Sequence, residues 1–156
     1  MITNHQEADP IAPGGVTAAG DGGGSSFRID PKPSDEPAST PELLIGVVGP
    51  CASGKTTLVA GLDRLGYRTR HIAQEHSYVK DMWQRLTKPD ILVFLDAAYL
   101  TTCRRRKLDW TEAEWQEQQF RLRHARANTD LYLDTDQLSI EEVLGRVVEF
   151  LGQRRA

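Results

Sequence analysis

The residues with the most evident chemical capacity lie in GPCASGKTT, Gly49 to Thr57. Gly49, Gly54, Lys55 and Thr56 satisfy the spacing Gly-x-x-x-x-Gly-Lys-Thr, which chance would supply at roughly a few start points in a hundred thousand. Such a loop can cradle phosphate. The amides of Cys51, Ala52, Ser53 and Gly54 would turn inward as an anion nest, and the start of the following helix adds partial positive charge. Glycines at positions 49 and 54 permit backbone conformations and close approach that a β-carbon would obstruct. Lys55 would reach the outer phosphates and the Thr56 hydroxyl would face Mg²⁺. The alternative, a tight strand-to-helix turn bearing a solvated lysine, has less to explain the context: LLIGVVG from Leu43 reads as a buried strand and KTTLVAGLDRL as a helix.

Other candidates sit at the ends of apolar runs. Asp96 closes ILVFLDA, Ile91 to Ala97, where it could hold Mg²⁺ or cap the helix that follows. Glu75 or His76, in QEHS after a short strand, could accept the proton of an incoming hydroxyl, with Glu75 the first choice; the alternative is a polar turn. Cys51 lies near a helix N-terminus that would favour its thiolate, although a small filler residue accounts for it as well. Cys51 and Cys103 lack metal-ligand spacing with the four histidines. Trp83 reads as core with Met82 and Leu86, whereas Trp110, in a helix break, could stack on a ligand ring.

These groups need a scaffold. A strand near Tyr67 to Ala73 is expected after the first helix, then a helix from about Ser77 to Thr87 with Val79, Met82, Trp83 and Leu86 on one face, ended by Pro89. A basic helix carries CRRRK, Cys103 to Lys107, and after LDW a capping box of Thr111 and Glu114 opens a helix to about Ala127. DLYLDTD is the last strand. Ser139 and Glu142 form a second capping box before a helix whose apolar face is Ile140, Val143, Leu144, Val147, Val148 and Leu151. Alternating strands and helices predict an α/β fold, a doubly wound parallel sheet of four to five strands in three α/β/α layers. Ligand sites in such sheets gather at the carboxyl ends of the strands, so the glycine-rich loop, Gln74 to Ser77, Asp96 with Ala97, and Asp134 to Gln137 should converge.

Residues 1–41 are crowded with Gly, Pro, Ser and Asp and show no apolar period, which predicts a disordered tail ahead of one domain over 42–156. The tail holds six acidic and two basic residues, a formal −4; with the chain at −3, the remainder carries about +1. That balance provides no basic field for nucleic acid. No leader pattern or membrane-spanning run is visible, so a cytoplasmic location is expected.

The phosphate-loop pattern, PDILVFLDA before a basic helix, and DLYLDTDQLSIEEV together resemble the P-loop small-molecule kinases, the group that includes thymidylate, shikimate and adenylylsulfate kinases. The resemblance spans roughly Leu43 to Leu151. It implies ATP and Mg²⁺ as cofactors and transfer of the γ-phosphoryl group to a small-molecule acceptor; an ATP-binding or hydrolysing regulatory module is the alternative. On the same basis Gly49, Pro50, Cys51, Ala52, Ser53, Gly54, Lys55, Thr56 and Thr57 would bind the nucleotide, with Asp136 and Gln137 at the last strand. The hairpin near 100–127 resembles a lid, in which Arg123 and one of Arg104, Arg105 and Arg106 would touch phosphate. Lys55, Glu75 and Asp96 would carry the chemistry. Only about twenty residues separate the strand ending at Ala73 from that beginning at Ile91, too few for a separate acceptor subdomain. No Asn-Lys-x-Asp follows a late strand, so adenine is favoured over guanine.

Overall fold

The structure is a computed structural model that describes residues 42–107 and 109–155. The tail expected over 1–41 lies outside them. Four parallel strands form one sheet: β1 (Leu44–Val48), β2 (Arg68–His71), β3 (Ile91–Asp96) and β4 (Leu131–Asp134), in the order β2-β1-β3-β4. Among the described residues four α-helices accompany them: α1 (Lys55–Arg64), α2 (Tyr99–Arg106), α3 (Glu112–Ala127) and α4 (Ile140–Arg155).

β1, and β3 up to its final Asp96, are apolar and buried, as befits interior strands with covered faces. Alternation along β3 divides the core in two. Ile91, Val93 and Leu95 join Leu58 and Leu62 of α1 and Val143, Val147 and Leu151 of α4 in one cluster. Leu92 and Phe94 join Leu122 and Ala125 of α3, with Trp83, in the other. Helices therefore cover both faces, an arrangement compatible with three layers. In register, Ile45 pairs with Thr69 on one side and with Ile91 on the other, and Asp96 pairs with Asp134.

Both expected capping boxes are present. The Thr111 hydroxyl accepts from the Glu114 amide while the Glu114 carboxylate accepts from the Thr111 amide at 2.7 Å. Ser139 and Glu142 exchange the same pair of bonds at the start of α4, and these bonds hold the Glu142 carboxyl below its usual range.

The segment between β2 and β3 departs from expectation. In place of a helix over Ser77 to Thr87 there is a short 3₁₀ turn (Gln74–His76) and one π-helical turn (Trp83–Thr87), and Val79 and Leu86 are exposed. The reason is Gln74, whose fully buried amide replaces helical bonds: Oε1 accepts from the Trp83 amide at 2.8 Å and Nε2 donates to the Val79 carbonyl at 2.9 Å. Trp83 is core, as its surroundings in sequence suggest, and its indole donates to His124.

Candidate functional site

The loop between β1 and α1 is shaped by two glycines. A β-carbon on Gly49 would lie 2.0 Å from the Leu95 carbonyl oxygen, so β3 passes too close for any side chain there. Gly54 has open space around it but a φ of 97°, which favours glycine. Ala52 adopts φ 62° in the same loop. Among the described residues, the amides of Ala52, Gly54, Lys55, Thr56 and Thr57 have no backbone acceptor. Five donors thus gather at the start of α1, the composition of an anion nest.

Lys55 stands at their centre. It is 5% exposed, and its ammonium donates to the Gly49 and Pro50 carbonyls at 2.7 and 2.8 Å and meets Glu75 Oε1 at 2.9 Å. Glu75 is 2% exposed and its Oε2 has no hydrogen-bond partner; the same holds for Ser53 Oγ. Two buried oxygens beside the nest therefore retain bonding capacity, which marks a site rather than a finished core.

A cleft of about 590 Å³ opens over these groups. Its polar wall is the loop from Cys51 to Thr57 with His71, Glu75 and His76; Leu138, Ile140 and Val143 form an apolar wall; Arg105 and Arg106 close one side. Arg105 is fixed by Thr135, donating to its hydroxyl at 2.9 Å and its carbonyl at 2.6 Å, and reaches the Ala52 carbonyl at 3.3 Å. Partial desolvation by the surrounding cleft holds the His71 imidazole below its usual range, the Lys55 ammonium adds to this, and Glu75 opposes it.

Several expected participants stand elsewhere. Asp96 does not line the cleft: it accepts from Arg126 at 2.7 Å, Tyr132 at 2.6 Å, Gln119 at 3.0 Å and the Ala97 amide at 2.9 Å. Strand parity is the cause, because Asp96 follows Leu92 and Phe94 onto the α3 face while α1 lies on the other. The N-cap of α2 is Ala98, not Asp96, and the Ala98 amide donates to Asp136 Oδ1 at 2.9 Å. Burial, followed by the bond to Asp96, pushes the Tyr132 phenol up to about 12, so it stays a donor. Asp136 and Gln137 lie off the cleft, although Thr135 and Leu138 on either side line it. Arg123 is exposed and stacks 3.8 Å over Phe120, away from the loop. The bonds of Gly49 and Pro50 to Lys55 run through their carbonyls, so these two support the lysine and do not face the cleft. Leu122 and Ala125 anchor the later turns of α3 in the core.

Sequence reasoning passed over Gln118, whose buried amide takes the Cys51 amide on Oε1 at 2.9 Å and donates to Cys51 Sγ at 3.2 Å. A lone glutamine in a polar helix carries no signal for that contact. Gln118 also lines a second hollow with Trp110, Ala113, Glu114, Glu117 and Arg121, into which the buried donors Trp110 Nε1 and Arg121 Nε bring no partner. Cys51, whose sequence spacing from the histidines matches no metal-ligand pattern, nonetheless lies within 4.8 Å of ligand-type atoms of Glu75 and His76. No helix among the described residues is long and apolar enough to cross a membrane. No protein-family model matches the chain, and no curated protein matches it.

Proposed function

We propose that this chain is a P-loop NTPase of the nucleotide-kinase type, which binds Mg-ATP in the cleft and moves the γ-phosphoryl group to a small acceptor. The observation that carries this reading is the set of unpartnered amides around Lys55, faced by a buried glutamate with one unused oxygen. A nucleoside triphosphate fits these residues: Ala52, Gly54, Lys55, Thr56 and Thr57 would hold its phosphates, and Leu138, Ile140 and Val143 offer an apolar wall for adenine. The Thr56 hydroxyl, exposed at the cleft, would hold Mg²⁺, which when bound neutralises charge on the phosphoryl oxygens.

In this mechanism the protein's own groups position and neutralise. Lys55 leaves its carbonyl partners or shares its protons with phosphate oxygens, and Arg105 and Arg106 add cationic donors at the side of the cleft. Glu75 Oε2 is the free acceptor for the proton of an acceptor hydroxyl.

A second reading, ATP binding or hydrolysis without an acceptor metabolite, is favoured by one observation: the stretch between β2 and β3 holds only short turns, with no room for an acceptor subdomain. Incubation with γ-labelled ATP and a panel of hydroxylated metabolites separates the two. Label transferred to a metabolite supports the kinase; release of inorganic phosphate unaffected by every metabolite supports the hydrolysing module.

A further inference from the structure

The mouth of the cleft brings two side chains that the proposed phosphate site does not use, those of Cys51 and His76, beside Glu75, which it does. Cys51 Sγ, His76 Nε2 and a Glu75 carboxylate oxygen all lie within 4.8 Å of one another. They come from two segments, the glycine-rich loop and the turn after β2, so folding alone brings them together.

We propose that Cys51, Glu75 and His76 form a binding site for a zinc-class divalent cation. The distances carry the case. A tetrahedral Zn²⁺ with bonds of about 2.3 Å to sulfur and about 2.0–2.1 Å to nitrogen and oxygen places a sulfur and a nitrogen about 3.6 Å apart and a nitrogen and an oxygen about 3.4 Å apart. The corresponding separations are 3.6 Å for Cys51 Sγ to His76 Nε2 and 3.8 Å for His76 Nε2 to Glu75 Oε1. The third separation, Cys51 Sγ to the Glu75 oxygen, lies within 4.8 Å against about 3.6 Å in such a site, so sulfur and carboxylate would draw together by up to about 1 Å around a metal.

The surroundings are consistent with this. Glu75 Oε2 is buried without a partner, so its carboxylate has capacity beyond the bond to Lys55. Gln118 Nε2 donates to Cys51 Sγ and fixes the sulfur, the outer support that metal ligands commonly have. His76 is 60% exposed and gives a cation a route from solvent. On binding, the Cys51 S–H bond breaks, a sulfur–metal bond forms and the proton passes to solvent. Thiolate and carboxylate together match the two charges of the metal, and Lys55 keeps its bonds to the Gly49 and Pro50 carbonyls. Three protein ligands leave a fourth position open to the cleft, and a thiolate with an imidazole selects zinc-class metals over Mg²⁺ or Ca²⁺. The metal would also tie the glycine-rich loop to the turn after β2.

Cobalt(II) tests this on the full chain, because thiolate ligation gives a charge-transfer absorption in the near ultraviolet. The parent should take up one equivalent of Co²⁺ with that band, Zn²⁺ should displace it, and Mg²⁺ should not. Cys51→Ser should abolish the band, and Cys103→Ser, which alters the other free cysteine, should retain it. His76→Ala replaces an exposed side chain and should weaken Co²⁺ binding at least about tenfold while circular dichroism stays unchanged. Absence of the band in the parent, its survival in Cys51→Ser, or unchanged affinity in His76→Ala would overturn the site. None of these outcomes depends on whether ATP binds.

Discussion

Glu75 and Asp96 follow or end the two strands that flank β1, and both are acids held by a cation, yet they stand in opposite conditions. Asp96 accepts from Arg126, Tyr132, Gln119 and a backbone amide, so its two oxygens are filled. Glu75 takes Lys55 on one oxygen and nothing on the other, and it borders a cleft. The first acid fastens α3 and β4 to the sheet; the second has valence to spend on a ligand. An acid at a strand end is thus assigned by what remains unbonded, not by its place in the strand.

The sharpest way to break this comparison is Lys55→Ala. Removing the ammonium leaves Glu75 buried without its counter-charge, a loss of about 3–5 kcal/mol that urea denaturation would read. Combining Lys55→Ala with Glu75→Gln should recover most of that stability. If Lys55→Ala alone is as stable as the parent, the pair does not hold the loop. Next in size is Glu75→Gln in a folded protein. Losing a general base slows turnover by about a hundredfold to ten-thousandfold, and a loose phosphoryl-transfer transition state points to the lower end. Full turnover would remove Glu75 from that role.

Much of this contrast was available from the sequence, though not all. The glycine-rich loop, α1 and both capping boxes could be read because each depends on contacts only a few residues apart. The face taken by Asp96 was not legible: its strand-end place suggested the phosphate site, and parity with Leu92 and Phe94 became informative only once those two were seen to pack on α3. The turns over Ser77 to Thr87 were not: apolar spacing suggested a helix, and what replaces it is the side chain of one buried glutamine. Nor could spacing reveal the approach of His76 to Cys51, 25 residues away, or of Gln118, 67 residues away. Arg105 was inseparable from its neighbours in CRRRK until Thr135 fixed it over the cleft.

Asp96→Asn sharpens the comparison from the other side. It should lower stability by about 1–3 kcal/mol through weakened bonds to Tyr132 and Arg126, and leave Mg-ATP affinity unchanged. A metal-dependent loss of affinity would return Asp96 to the magnesium site. The smallest expected effect concerns pH. His71 is held below its ordinary value of 6.5, chiefly by partial desolvation, so the unfolded chain takes up this proton more readily than the folded one. The stability that this difference supplies is complete above about pH 6.5 and declines as pH falls from there towards the folded value. His71→Asn should flatten the decline in that window; an unchanged pH profile of melting temperature would assign the decline to other groups.

The central claim is that the amides around Lys55 form a nucleotide phosphate site. Calorimetric titration of the full chain with ATP in Mg²⁺, run in parallel on the Lys55→Ala/Glu75→Gln double variant, tests it most directly. The account predicts saturable binding at one site in the parent and its loss in the double variant, which keeps the fold but lacks the cation. Equal affinity in the two proteins, or no binding in the parent, would contradict it.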